Sequence, residues 1–131
     1  MPETKKSKIL VAEDDRFLSK IYATKLASEG YEVIVAGEGE EAIRKIIAEL
    51  PDLILLDLVM PKKNGFEVLQ VIKADAKTKN IPVVILSNLG QEEDVKRGAS
   101  LGAVDYLVKT NLSIQEVVSK IKDYLVRFKH A

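Results

Sequence analysis

Cysteine is absent from the sequence and histidine occurs once, which removes many of the usual catalytic side chains. Without cysteine the chain forms no disulfide, no thiolate-ligated zinc or iron–sulfur site and no cysteine nucleophile, and it suits a reducing cytoplasm. His130 is the second-last of 131 residues, where chain ends fray, so we expect no Ser-His-Asp triad and no histidine general base. Any chemistry must rest on carboxylates, lysine, hydroxyls or a bound ion.

A charge excess and long apolar runs are also missing. The 20 Lys and Arg residues balance 20 Asp and Glu residues, so no net positive field attracts nucleic acid or an anionic membrane. The longest apolar stretches, such as residues 81–86, are far shorter than the roughly 20 residues that span a bilayer. We expect a cytoplasmic protein without direct nucleic-acid binding or membrane association.

Short apolar runs alternate with segments of helical period. The runs have the length and the Ile, Val and Leu content of strands, several of them buried on both faces. They cover residues 9–12, 31–36, 53–56, 83–86 and 106–108. Spacings of i, i+3, i+4 and i+7 predict one buried stripe on the second helix (Ile43, Ile46, Ile47, Leu50) and one on the last (Ile114, Val117, Val118, Ile121). Five strands alternating with five helices predict an α/β fold with a parallel sheet covered on both sides.

Helix start and stop signals agree with this alternation. Ser113 and Glu116 match a capping box, Asn64 and Glu67 give a similar cap, and Gly30 stands where the first helix should stop. The boundaries of the elements are therefore well marked.

No repeat, low-complexity tract or flexible linker marks a second domain. We expect residues 1–7 to form a disordered leader, 8–128 a single domain and 129–131 a frayed tail. The fourth helix, residues 91–101, carries few large apolar residues and contains Gly98, which costs about 1 kcal/mol relative to Ala. This helix is expected to be weakly held, either as a solvated surface helix or as a mobile element.

Acidic, hydroxyl and amine side chains come directly after the apolar runs. Glu13 and Asp14 come after the first strand, Asp57 after the third, Ser87 after the fourth and Lys109 after the fifth. Ligands of open parallel sheets bind at the carboxyl ends of the strands, so these side chains are expected to meet. Their summed charge of minus two favours a divalent cation, and the all-oxygen donors favour Mg²⁺.

Each of these residues also has a simpler interpretation. Glu13 and Asp14 are placed to cap a helix beginning at Arg16, and Asp57 could cap a turn. Lys109 could extend from a strand end into solvent. The spacing alone leaves these alternatives open.

Four segments together resemble the receiver domain of two-component response regulators. The resemblance covers nearly the whole chain, about residues 8–128, because the segments occur in the order and spacing of that family. They are residues 11–15 (VAEDD), 55–61 (LLDLVMP) with Asn64 and Gly65, 84–87 (VILS) and 102–109 (GAVDYLVK).

The resemblance implies a flavodoxin-like, doubly wound sheet of strand order 2-1-3-4-5 with five helices in a single domain. It implies that Asp57 accepts a phosphoryl group from a sensor histidine kinase or a phosphotransfer protein. Mg²⁺ would be held by Glu13, Asp14, Asp57 and the backbone carbonyl of Val59, with Asp14 the more direct ligand. Lys109 would pair with Asp57 and then with a phosphoryl oxygen.

The resemblance also implies a switch and an output surface. Ser87 would donate a hydrogen bond to the phosphoryl group while Tyr106 changes rotamer, and a downstream protein would bind the fourth helix, fifth strand and last helix. The domain would catalyse its own phosphorylation without being a turnover enzyme. Val59 and Leu89 occupy positions that influence hydrolysis of the acyl phosphate, and as neither can orient a water molecule we expect slow self-dephosphorylation.

One departure from the family concerns the residue after Lys109, which is Thr110 where the family usually has proline after a cis peptide bond. The sequence therefore does not determine the backbone path of this loop. Two other functions remain as alternatives: a constitutive protein-interaction module with a vestigial acidic pocket, and a Mg²⁺-dependent phosphohydrolase. The latter normally uses an Asp-x-Asp pair, and residues 57–59 lack the second aspartate. A flavin-binding flavodoxin fits less well, because the loop after the first strand is acidic.

Overall fold

Strands and helices alternate through residues 6–129, the part of the chain that this computed structural model describes. The strands are β1 (Lys8–Ala12), β2 (Glu32–Ala36), β3 (Leu53–Leu56), β4 (Val83–Ser87) and β5 (Asp105–Val108). The helices are α1 (Arg16–Ser28), α2 (Gly39–Glu49), α3 (Gly65–Ala74), α4 (Glu92–Ser100) and α5 (Ile114–Lys129), with a short 3-10 helix at Lys109–Asn111. None of the helices in this part of the chain has the length and apolarity needed to cross a bilayer.

All strand pairs are parallel, and the sheet order β2-β1-β3-β4-β5 confirms the predicted flavodoxin-like architecture. The central strand β3 is buried at every position. The register pairs Ala12 with Leu56, Leu56 with Ile85, and Ser87 with Val108. The carboxyl ends of four neighbouring strands therefore lie side by side along one edge of the sheet.

Alternating side chains of the sheet build a core on each face. One core contains Leu10, Ile54 and Ile85 and is closed mainly by α2 and α3. The other contains Val11 and Leu55 and is closed by α1 and α5. Burial of the inner strands on both faces confirms what their near-continuous apolarity predicts.

The predicted helix ends are confirmed. Asn64 and Glu67 form a reciprocal capping box at α3, and Ser113 and Glu116 exchange the same pair of hydrogen bonds at α5. Gly30 has a φ of 98°, a conformation that glycine adopts without steric cost, and it follows the last turn of α1.

The predicted stripe on α2 is only partly buried. Ile46 is fully buried and Ile43 half-buried, whereas Ile47 and Leu50 are 44% and 49% exposed. Leu50 caps the helix with a φ of 46°, so its side chain has left the helical stripe, and Ile47 lies at the stripe's solvent edge. The prediction of one continuous buried stripe is therefore wrong for these two residues, because α2 covers an edge strand.

The ends of the chain lie largely outside the described residues. Residues 1–5 of the predicted leader and residues 130–131 of the predicted tail, including His130, are among those not described. At residue 7 the Ser7 carbonyl accepts a hydrogen bond from the Glu32 N–H at 3.0 Å. Helix α5 runs to Lys129, one residue beyond the predicted domain end.

Helix α4 buries only Gly98. A Cβ at this position would lie 2.7 Å from Ile85 Cδ1 and 3.4 Å from the Tyr106 ring. The glycine that weakens α4 by propensity thus also lets the helix backbone approach β4 and β5 closely. How strongly α4 is held stays a prediction.

Candidate functional site

The site lies at the carboxyl ends of β1 and β3, directly after the last paired residues of these strands. The Glu13 N–H donates to the Ala36 carbonyl, and the Asp57 N–H donates to the Ala12 carbonyl, each at 3.0 Å. These hydrogen bonds fix the backbone directly after β1 and β3. The sheet register, rather than any local motif, therefore brings the two acidic segments together.

Three carboxylates gather at this edge. Glu13, Asp14 and Asp57 each offer an oxygen within 4.8 Å of the others. Glu13 and Asp57 are only 4% and 6% exposed, whereas Asp14 is exposed to solvent. An all-oxygen set with one open side fits a hard divalent cation that keeps some of its water.

Lys109 lies between two of these acids. Its ammonium donates a hydrogen bond to Asp57 Oδ2 at 2.9 Å and a second one to Glu13 Oε1. The pairing with Asp57 was expected from the resemblance, but the bond to Glu13 was not. One cation is therefore shared between the buried acids that follow β1 and β3.

The local charges shift the pKa values of this group. Burial raises the pKa of Glu13 to about 7, although the hydrogen bonds from Lys109 and the Asp15 N–H oppose the shift. Burial lowers the pKa of Lys109, but its hydrogen bonds to Glu13 and Asp57 outweigh this effect and raise the pKa above its ordinary value. Lys109 consequently remains an ammonium.

The capping interpretation of the acids after β1 does not hold for Glu13 or Asp14. Asp15 caps α1 instead, since its Oδ1 accepts from the N–H groups of Phe17 at 2.9 Å and Leu18 at 3.1 Å. Glu13 Oε2 accepts from the Asp15 N–H at 3.1 Å, which orients the buried carboxylate. Asp14 projects from this turn without a capping bond.

Asp57 accepts hydrogen bonds from a turn and from Lys109. Its Oδ1 accepts from the Val59 N–H at 3.3 Å, as in a turn cap, while Oδ2 faces Lys109. Gly65 at the start of α3 packs directly against this segment, because a Cβ there would lie 2.3 Å from the Asp57 carbonyl oxygen. The Val59 side chain is exposed beside the acids, and the role of its carbonyl stays a prediction.

The loop after β4 links Ser87 to Tyr106. Ser87 is fully buried, and its Oγ accepts from the Leu89 N–H at 3.3 Å. The Tyr106 hydroxyl donates to the Leu89 carbonyl. Burial raises the pKa of Tyr106 to about 12, with the negative charges of Asp94 and Asp57 acting in the same direction. Tyr106 therefore stays a neutral donor.

The structure gives the conformation of the loop after β5, where Thr110 replaces the proline usual in the family. The peptide bond between Lys109 and Thr110 is trans, as are all others in the described residues. Residues Lys109–Asn111 form the short 3-10 helix, so the loop takes a different path from the one that Lys-Pro would impose.

A surface groove between α1 and α5 was not predicted from the sequence. It has a volume of 620 Å³ between α1 and α5, and Phe17 at its rim is 74% exposed. Phe17, an aromatic residue two positions after the helix cap Asp15, is the feature of the sequence from which this groove could have been predicted. The groove is lined by Phe17, Lys20, Ile21, Thr24, Lys25, Ser28 and Ile114.

Comparison with known proteins agrees with this geometry. The CpxR transcriptional regulatory protein of Escherichia coli K12 is 40% identical over 121 residues, which are 92% of this chain and 50% of CpxR. The receiver domain of Francisella response regulator 1452 superposes with a TM-score of 0.84 at 33% identity, covering 92% of this chain and 98% of that one. A CheY-like receiver domain protein from Methanospirillum hungatei JF-1 gives a TM-score of 0.88 at 26% identity, covering 96% and 98%.

The curated relatives are longer proteins, and the chain spans about half the length of those it matches, between 46% and 51%. The family model of the response regulator receiver domain matches residues 9–122, a range that contains all the acidic, hydroxyl and amine side chains of the site. The chain belongs to the response regulator receiver domain family.

Proposed function

We propose that this domain accepts a phosphoryl group on Asp57 from the phosphohistidine of a sensor histidine kinase or phosphotransfer protein, in a Mg²⁺-dependent reaction that switches a protein-binding face. The observation that carries the proposal is the convergence of Glu13, Asp14 and Lys109 on Asp57. Cytoplasmic placement is part of the same proposal, since such kinases present their phosphohistidine there.

Glu13, Asp14, Asp57 and the backbone carbonyl of Val59 would hold Mg²⁺. The oxygen-only donors and the exposed position of Asp14 support this assignment, because Mg²⁺ retains several waters. When bound, the ion supplies charge neutralisation for the phosphoryl oxygens. Asp14, as the open member of the cluster, would be the most direct ligand.

The transfer itself needs only a carboxylate nucleophile and positioned cations. A bond forms between an Asp57 carboxylate oxygen and phosphorus while the phosphorus–nitrogen bond of the phosphohistidine breaks, and the imidazole nitrogen keeps that electron pair. A carboxylate nucleophile has no proton to remove during the attack, so no general base is required. Lys109 and the hydroxyl of Ser87 would each contact one phosphoryl oxygen.

The hydrogen bonds around Leu89 support a switch. A Ser87 hydroxyl that turns toward a phosphoryl oxygen gives up its contact with the Leu89 N–H, and the Leu89 carbonyl is the acceptor that holds Tyr106. Phosphorylation would thereby favour a second arrangement of this loop. The face formed by α4, β5 and α5, which includes Tyr106, would carry the output.

The groove between α1 and α5 would receive the phosphodonor protein. Its two walls begin next to the site, since Phe17 follows the cap Asp15 and Ile114 follows the loop that carries Lys109. Its lining is apolar, and Lys20 and Lys25 on α1 give it a positive rim. A partner helix with an apolar face and acidic flanks would match this surface.

The phosphorylated state would be comparatively long-lived, because the two positions that influence hydrolysis in this family carry the exposed apolar side chains of Val59 and Leu89. Neither side chain can hydrogen-bond an attacking water molecule. The domain would therefore catalyse its own phosphorylation and slow dephosphorylation without acting as a turnover enzyme.

The two other functions are less well supported. A vestigial pocket is not expected to retain the full set of polar side chains, which are Glu13, Asp14, Asp57, Ser87 and Lys109. Glu13, Asp14, Asp57 and Lys109 lie in one cluster. A phosphohydrolase of the Asp-x-Asp type would need a carboxylate at position 59, where the exposed side chain is valine.

Intact-mass spectrometry after treatment with acetyl phosphate tests the proposal. We expect one phosphoryl group on the parent chain with Mg²⁺, none with EDTA and none on Asp57→Asn. Asp52→Asn is a matched control that removes an exposed carboxylate at the opposite end of β3. Labelling that persists in Asp57→Asn, or no labelling of the parent, would refute the assignment.

A further inference from the structure

Helix α4 has few attachments to the rest of the domain. It buries only Gly98, and no side chain caps its first turn. Gly98 fixes the distance of the helix from β4 and β5, but a glycine without a side chain does little to prevent the helix from sliding along the sheet. A contact made by a longer side chain of α4 restricts this sliding more than Gly98 does.

The Arg97 side chain makes such a contact. Its guanidinium carbon lies 4.2 Å from the centre of the Phe66 ring, within the range of a cation–π interaction. Phe66 is the second residue of α3 and is only 6% exposed, so the residues packed around its ring hold it in place. Arg97 itself is exposed to solvent at the surface of the domain.

The helix turn that carries Phe66 packs against the backbone around Asp57. Gly65 precedes Phe66 and packs against the Asp57 carbonyl oxygen, where a Cβ would come within 2.3 Å. The Gly65 N–H also donates to the Leu58 carbonyl at 2.9 Å. Arg97 is thus joined through α3 to the backbone that carries Asp57, by a route that does not pass through Ser87 or Tyr106.

We propose that Arg97 is a positioning residue that latches α4 to α3 through the Phe66 ring and so holds the helix in its unmodified position. The regulatory part of this inference rests on the proposed function, because α4 belongs to the output face. Loss of the contact between Arg97 and Phe66 destabilises the unmodified position of α4 relative to the position that α4 takes after phosphorylation. The phosphorylated arrangement is therefore favoured.

Amide hydrogen exchange of the full chain without phosphodonor tests the latch. Lys96→Ala is the matched control for Arg97→Ala, since Lys96 is the neighbouring cation on the same helix and is exposed, with an ion pair to Glu92 at 3.0 Å. We expect the α4 amides of Arg97→Ala to exchange about threefold to tenfold faster than those of Lys96→Ala. Equal rates in the two variants would overturn the latch.

A double-mutant cycle assigns the effect to the ring. Phe66→Leu keeps an apolar side chain but removes the aromatic face, so Arg97→Ala should add no further acceleration in that background. Arg97→Lys, which retains a cation, should give intermediate exchange. If Arg97→Ala accelerates exchange equally in the parent and in the Phe66→Leu background, Arg97 acts without the ring and the latch is wrong.

Labelling by acetyl phosphate tests the regulatory part. We expect Arg97→Ala to accept the phosphoryl group about twofold to fivefold faster than Lys96→Ala at the same Mg²⁺ concentration. Equal rates would show that the latch does not restrain the response. If the parent is not labelled at all, the proposed function fails, and the exchange measurements still decide whether the latch exists.

Discussion

The Lys109 ammonium donates a hydrogen bond to Asp57 Oδ2 at 2.9 Å across 52 residues of sequence, and the same ammonium also bonds Glu13 Oε1. This lysine is therefore the counter-ion of two buried carboxylates. Mg²⁺ would bring further positive charge to the same carboxylates, so the ion and Lys109 would share the neutralisation of this acidic cluster.

Replacing Lys109 tests this counter-ion role. Lys109→Met leaves Glu13 and Asp57 buried without a cation, and we expect it to lower the free energy of unfolding by about 2–4 kcal/mol in EDTA. Mg²⁺ should restore much of the loss, because it supplies the missing positive charge. Urea unfolding with and without Mg²⁺ measures both values.

Lys122→Met is the control for that experiment, since Lys122 pairs with Glu29 near the surface. Its effect on unfolding should be small and independent of Mg²⁺. An equal loss for Lys109→Met with and without the ion would show that Mg²⁺ does not replace the positive charge of Lys109.

The pKa of Glu13 predicts a pH dependence in the absence of metal. Because burial raises that pKa from 4.5 to about 7, the folded state keeps a proton that the unfolded state has lost. Stability should therefore fall as the pH rises from about 4.5 to about 7, by up to about 3 kcal/mol. Glu13→Gln should flatten this slope in urea unfolding at several pH values in EDTA, and an unchanged slope would show that another group titrates.

The side chains beside the phosphate predict the lifetime of the phosphorylated state. Val59→Asn together with Leu89→Glu introduces groups that can orient water, so we expect severalfold faster loss of the phosphoryl group. Val126→Asn, which replaces an exposed valine on α5, controls for added surface polarity. The hypothesis of slow hydrolysis is wrong if the double variant decays no faster than the parent.

Two helical glycines should differ in their response to replacement by alanine. A Cβ at Gly39 would lie 2.0 Å from the Lys63 carbonyl oxygen, a backbone atom, whereas a Cβ at Gly98 would meet the flexible end of the Ile85 side chain. We expect Gly39→Ala to destabilise the domain by about 2 kcal/mol, and Gly98→Ala to stay within about 1 kcal/mol of the parent. Urea midpoints distinguish the two, and equal changes would contradict the packing described for α2.

The groove between α1 and α5 predicts a difference between phosphodonors. Phe17→Ser should slow transfer from an autophosphorylated histidine kinase that labels the parent, because it removes the exposed aromatic anchor. Labelling by acetyl phosphate, which needs no docking surface, should be unchanged. Rates that fall equally with both donors would place the effect of Phe17 in the site rather than in docking.

The strands of the sheet were predictable from sequence because each has an apolar composition, and four of the five are followed directly by the polar residues of the site. Residues 53–56 form β3 as predicted, and the other strands differ by one residue at one end. The strand order came from the family resemblance rather than from periodicity. Ile47 and Leu50 were mispredicted because helical spacing does not reveal how wide a face the sheet offers.

The acidic cluster was also predictable, but its internal pairing was not. Strand ends specify which residues meet, so Glu13, Asp14 and Asp57 were expected together. The bond from Lys109 to Glu13 depends on side-chain reach across the sheet. Contacts between elements distant in sequence, such as Arg97 on Phe66, have no periodic signal at all.

Borohydride reduction of the acetyl phosphate-treated protein, followed by peptide sequencing, identifies the phosphorylated residue, because it converts a phosphoaspartate into homoserine at the modified position. We expect homoserine at position 57 alone, and only when Mg²⁺ was present during labelling. Homoserine at position 14, or at position 57 in a sample labelled in EDTA, would contradict the proposed function.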